Sequence, residues 1–143
     1  MANFKYKIFP ELNLCYSHFI GKVYIDDVLE LVLAWAADRA YIPTISSMMD
    51  FRDAEPHFNI EDSKKYINFI QNNSKVRDHR LVALLTSEDQ KVEHLQAYQN
   101  LAKGLPMTIE IFTDLGESMR WMKNPHPNMA LLAFIQERKK ILF

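Results

Sequence analysis

A chain of 143 residues with 48% apolar and 24% charged residues suits one domain, long enough to bury roughly two-thirds of its unfolded surface without staples. The formal net charge is −1, and apart from Arg138-Lys139-Lys140 the basic residues are scattered, so no basic stripe with interleaved aromatics marks a nucleic-acid partner. A single cysteine, Cys15, excludes an internal disulfide and a cysteine-rich metal site and fits a reducing compartment; with no basic-then-apolar leader and no apolar run near the roughly 20 residues that span a bilayer, a cytoplasmic protein without stable membrane insertion is expected.

Phe4 to Phe9 alternates apolar and polar residues, Pro10-Glu11 breaks the run and Leu14 to Ile20 resumes it, which predicts two strands in a hairpin. Gly21 to Ile25 leads into Asp26-Asp27, carboxylates suited to a helix start. That helix runs to about Ala40, with Val28, Leu31, Val32, Trp35 and Ala36 as its buried stripe. Tyr41-Ile42-Pro43 ends it. Thr44 to Asp53 is an apolar run closing in charges, read as a central strand that opens into an acidic loop, Asp53-Ala54-Glu55-Pro56-His57-Phe58.

Asn59 is placed to cap the next helix, Ile60 to Asn73, with Tyr66, Ile67 and Ile70 facing inward. His79 to Thr86 is nearly continuous apolar sequence, as expected of a parallel strand covered on both faces, so helices must lie on both sides of the sheet. Ser87 and Gln90 have the spacing of a capping box for a helix carrying Leu95, Tyr98 and Ala102; Met107 to Thr113 is the last strand. Asp114 to Glu117 opens a further helix that stops near Asn124-Pro125, and the tail has helical spacing at Leu131, Leu132, Ile135 and Arg138.

The predicted order β-β-α-β-α-β-α-β-α plus a tail helix defines an α/β fold: a mostly parallel five-stranded sheet with an antiparallel N-terminal hairpin strand, helices on its faces and an extra C-terminal helix. The domain is expected over residues 1–123 and the helical tail over 124–143. In such sheets ligands sit beyond the carboxyl ends of the strands, which directs attention to the charges after Asp50.

Four stretches in this order, Ile20-Gly21-Lys22-Val23-Tyr24-Ile25-Asp26-Asp27, Met49-Asp50-Phe51-Arg52, Leu81-Val82-Ala83-Leu84-Leu85 and Ile111-Phe112-Thr113-Asp114 with Met119 and Trp121, resemble bacterial STAS/SpoIIAA-like proteins over about residues 4 to 123. The resemblance implies a sheet of the kind grouped with CRAL-TRIO domains and a regulatory role through protein binding. In many such domains a serine at the helix start after the central strand is phosphorylated. Here Phe51 to Asn59 contains no serine, Ser63 falls inside the helix, and a phosphoryl group beside Asp53 and Glu55 would be repelled. The phosphoswitch is therefore not expected.

The candidate binding residues are Asp50, Arg52, Asp53 and His57 on the acidic stretch and Ser87 at the neighbouring helix start. They suit a rim for a protein or small ligand; against that stands a local ion pair, since Asp50 and Arg52 point to the same side of a strand. No second histidine completes a metal set with His57, Asp53 and Glu55, and His18, His79, His94 and His126 are read as half-buried or surface residues. Cys15, within a strand, is read as a buried structural thiol. With only Gly21, Gly104 and Gly116 there is no phosphate-cradling loop and no Gly-x-Ser-x-Gly elbow. The expectation is a non-enzymatic regulatory or protein-recognition domain without cofactor, whose partner is another protein or a second copy in a homodimer through residues 128–143. The alternative is a carrier or sensor of a small apolar or lipid-like ligand held among residues such as Met49, Phe51 and Phe58.

Overall fold

A computed structural model describes residues 4–87, 93–124, 126 and 128–137. The alternating opening runs form β1 (Phe4–Phe9) and β2 (Leu14–Val23), paired antiparallel with Phe9 opposite Leu14 and joined by a short 3-10 turn over Pro10–Leu12. Asn13 closes that turn in the left-handed region at φ 50°, a conformation asparagine tolerates better than most residues. β3 (Ser46–Pro56), β4 (Leu81–Leu85) and β5 (Thr108–Phe112) follow in parallel, giving the sheet order β1-β2-β3-β4-β5.

Two strands outrun their sequence signals. β2 continues past Ile20 to Val23, and β3 continues through the acidic stretch to Pro56, so most of the expected acidic loop is strand. The reason is mutual: Gly21, Lys22 and Val23 supply the partners for Ala54, Glu55 and Pro56, and the His57 N–H donates to the Val23 carbonyl at 2.8 Å. The register slips between His18 and Ile20, and Gly21 at φ 73° takes a conformation open to glycine without strain.

Helices cover both faces. α1 (Ile25–Ala36), α2 (Ile60–Gln71) and α3 (Glu93–Leu101) pack on the side carrying Cys15, Phe19, Met49, Phe51, Val82 and Leu84. α4 (Leu115–Trp121) and α5 (Met129–Gln136) cover the opposite side, with Leu14, Tyr16, Met48, Ala83 and Leu85. Successive residues such as Met48 and Met49 thus serve two cores, as the two-residue period of a strand requires.

Local capping sets the helix starts. Asp27 accepts the Tyr24 N–H at 2.8 Å, and Asn59 and Asp62 cap one another's backbone N–H groups at 2.8 and 3.0 Å. α1 ends at Ala36 rather than near Ala40, because Asp38 turns its carboxylate to the Ala40 N–H and competes with the helical ladder. Gln90 of the expected capping box with Ser87, and the tail from Arg138 to Phe143, lie outside the described residues.

Asn128 caps α5 through the Leu131 N–H at 3.0 Å, and the helix docks on its own sheet. Phe134 stands edge-on to Phe9 and Tyr16, with Lys5 Nζ 4.8 Å above its ring. Among the described residues no helix is long and apolar enough to cross a membrane.

Candidate functional site

The polar centre lies where β2 meets β3. Asp50 is fully buried on β3, and its carboxylate accepts from Arg52 Nε at 2.9 Å and Nη2 at 2.8 Å, from the Arg52 backbone N–H at 3.0 Å and from the Tyr16 hydroxyl at 2.5 Å. The fork of the guanidinium matches the two carboxylate oxygens, and the spacing of two residues along a strand puts both side chains on one side. The hydrogen bond to Asp50 holds the Arg52 pKa above its ordinary value even though partial burial works against the charge. A buried carboxylate that already accepts from four donors has little left to offer a substrate.

Asp53 is drawn to a different partner. Its Oδ2 lies 2.8 Å from Nε2 of His18, which is wholly buried rather than half-buried or exposed as expected. The register slip between His18 and Ile20 lies between their partners Asp50 and Asp53, so it sets how the two side chains meet. His57 is outermost: its Nε2 sits 3.2 Å from Glu55 Oε1, and its ring stacks on Tyr24 with centroids 5.3 Å apart. Ser87 is half-buried just beyond β4, whose Leu85 pairs with Asp50.

The candidate residues therefore divide into a locked interior pair, Asp50 and Arg52, an interior link from Asp53 to His18, and an exposed rim of Glu55, His57 and Tyr24. Tyr16 and His18 were not anticipated. Both lie on β2 at alternate positions with Leu14, a weak signal of a shared face, but nothing local shows that Asp50 stands across from His18. Among the described residues no group of three or more His, Cys, Asp or Glu side chains could hold a metal ion. Cys15 is completely buried, and desolvation pushes its thiol up to about 12, away from nucleophilic use at neutral pH. Ser63, the first serine after β3, lies in α2 and is buried.

Behind the other face of β3 is a cavity of about 30 Å³, lined by Val28, Phe51, Phe58, Tyr66, Leu84 and Leu95 among others. Its walls come from the sheet and from α1, α2 and α3.

No family model matches the sequence, and no curated protein does. A crystal structure of an uncharacterized DUF3478-family protein from Shewanella loihica PV-4, described as having a SpoIIAA-like fold, matches with a TM-score of 0.53, covering 85% of this chain and 95% of that one. The fold is SpoIIAA-like. At 12% sequence identity the likeness speaks to architecture alone, and it agrees with the STAS-like strand and helix order read from the four motif stretches. In this SpoIIAA-like sheet the Asp50–Arg52 pair occupies the middle strand, and the Tyr24–His57 rim stands at the carboxyl end of β2 and β3.

Proposed function

We propose that the chain is a non-enzymatic, cytoplasmic recognition domain that reads a protein partner through the rim at the carboxyl ends of β2 and β3, without a serine phosphoswitch. One observation carries this reading: the groups with chemical potential are tied inward, while the stacked Tyr24–His57 pair is presented outward, Tyr24 with 52% of its surface exposed. A rigid aromatic surface with an ionisable edge is the composition that anchors protein contacts. Ile60 is 54% exposed at the start of α2, and Lys65 on the same helix pairs with Asp26 in the first turn of α1 at 2.7 Å.

The test compares the full chain with a Tyr24→Ala/His57→Ala variant in crosslinking from the source cytosol. Both side chains are exposed, so the variant should keep the wild-type circular dichroism spectrum and lose the crosslinked partner; an unchanged crosslinking pattern would place recognition elsewhere. The partner can be a second copy held through residues 128–143. Met129, 79% exposed on α5, is the residue to change in that case. Met129→Glu should then lower the mass seen by light scattering from dimer to monomer, and an unchanged mass refutes the tail contact.

The second reading is a carrier of a small, largely apolar ligand, supported by the interior cavity between the sheet and α1, α2 and α3. At about 30 Å³ that space holds roughly two waters, so a carried molecule must part the side chains around it.

A further inference from the structure

A second buried cation is placed very differently from Arg52. Arg80 precedes β4 and is 8% exposed; its Nη2 donates to the Val76 carbonyl at 2.5 Å, and its guanidinium carbon lies 4.8 Å from the Trp35 ring centroid. Its Nε and Nη1 have no hydrogen-bond partner among the described residues, and Arg80 enters none of the ion pairs found there. A guanidinium stays charged at any pH at which the protein is folded, so a buried one without counter-charge is costly.

The unpaired groups are not scattered. Arg80, Trp35 and Ser47 line one small cavity of about 10 Å³, and Trp35 Nε1 and Ser47 Oγ are also buried without hydrogen-bond partners among the described residues. A buried donor normally finds a partner, and three side chains failing to do so around the same point is a pattern rather than an accident of packing. Among the described residues no carboxylate forms an ion pair with Arg80. Cys15, Tyr41, Tyr66 and Tyr98 all feel the Arg80 charge, and the Tyr41 hydroxyl also hydrogen-bonds with its guanidinium, yet burial raises the pKa of each, so they stay protonated and neutral near pH 7 and offer no counter-charge. Asp78, which acts on Tyr41, turns its carboxylate to the His79 N–H.

The rest of the lining is mostly apolar, apart from the hydroxyls of Tyr66 and Tyr98, which are hydrogen-bonded to each other. Met49, Tyr66 and Tyr98 line this cavity and also the larger one bounded by Phe51, Phe58, Leu84 and Leu95. A polar end with a cation and unsatisfied donors thus adjoins a space lined mainly by apolar side chains, with the Ser63 hydroxyl and the two tyrosines as its polar groups. An inorganic ion would satisfy the first and leave the second unfilled; a neutral apolar molecule would do the reverse.

We propose, building on the second reading of the interior cavity, that Arg80, Trp35 and Ser47 form a buried anion site for a small aliphatic carboxylate, whose chain lies in the adjoining Phe51–Leu95 cavity. The carboxylate accepts from Arg80, the Trp35 indole and the Ser47 hydroxyl, supplying the missing charge, while α1, α2 and α3 shift to admit the hydrocarbon.

Full-length protein is titrated with hexanoate, 1-hexanol, acetate and chloride, with binding followed by calorimetry and by the indole N–H signals in a nitrogen–proton correlation spectrum. Trp121 on the opposite face serves as the internal reference for Trp35. Hexanoate should shift the Trp35 signal, leave Trp121 in place and bind at least tenfold more tightly than 1-hexanol. Arg80→Met and Ser47→Ala should each weaken hexanoate while leaving 1-hexanol unchanged, and Ser47→Ala carries the test if Arg80→Met does not fold. Equal binding of hexanoate and 1-hexanol overturns the anion site but leaves the carrier reading standing. Acetate or chloride binding as well as hexanoate overturns the place of the chain. Binding by none of the four overturns the inference and the carrier reading together.

Discussion

Asp50 and Arg52, two residues apart on β3, close on each other through both carboxylate oxygens, with the Arg52 backbone N–H as a further donor to the same group. The pair is asymmetric: the carboxylate is completely buried, and the arginine side chain keeps 23% of its surface exposed. Removing the arginine leaves a buried charge without its counter-ion, whereas the arginine itself can reach solvent. Arg52→Ala should therefore cost about 3 kcal/mol, at the low end for breaking a buried pair, measured from urea unfolding midpoints. Arg52→Lys should recover little of it, because an ammonium cannot span both oxygens. A loss below about 1 kcal/mol would show that water takes over the carboxylate.

Tyr16→Phe deletes a hydroxyl donor to the same carboxylate without changing the shape of the core. A hydrogen bond to a charged group contributes about 1.5–3 kcal/mol, so a loss near 2 kcal/mol is expected in equilibrium unfolding. Because Tyr16 and Arg52 share Asp50, the double variant Tyr16→Phe/Arg52→Ala should depart from additivity by at least about 0.5 kcal/mol.

Cys15 should be inert in the folded protein. It is completely buried, and its thiol is pushed up to about 12. Iodoacetamide near pH 8, where an ordinary cysteine is partly thiolate, should leave the native chain unmodified and alkylate it fully in concentrated urea, as read by intact mass. Native modification at the rate of a free thiol would contradict this.

Stability should fall at alkaline pH partly through Tyr6. Its hydroxyl donates to Asp38 Oδ2 at 3.0 Å, and burial, then the Asp38 hydrogen bond, raise its pKa from 10.0 to about 12. The folded state thus holds this proton more firmly than the unfolded chain. The contribution is fully present below pH 10 and is lost as pH rises through about 12. Unfolding midpoints across that window should fall less steeply in Tyr6→Phe than in the wild type; the slope that remains includes Cys15, which titrates over an overlapping range.

Phe134 joins α5 to the sheet by standing edge-on to Phe9 and Tyr16, with ring centroids 6.2 and 5.9 Å away. The side chain is only half-buried, so Phe134→Ala should cost about 2 kcal/mol, below the 3–5 kcal/mol typical of fully buried phenylalanine. Hydrogen exchange in α5 should rise before that in the strands. Equal protection throughout would mean that α5 does not open separately from the sheet.

Short-range relationships were legible in the chain itself. Alternation marks β1 and the start of β2, the continuous apolar run marks β4, and Asn59 caps α2, because each depends on residues within a few positions of one another. The Asp50–Arg52 pair belongs to the same class, a two-residue spacing on one strand. Tertiary structure alone decided that the acidic stretch is strand, since the extension of β3 exists only because β2 lies beside it. It also decided the His18–Asp53 link, which depends on a register slip with no local signature. The burial of Arg80 is the furthest removed from the sequence. Before β4 it reads as the polar edge of an apolar run, and only the packing of Trp35, Tyr66 and Tyr98 from three separate helices takes its charge out of water, because burial is a property of everything that surrounds a side chain.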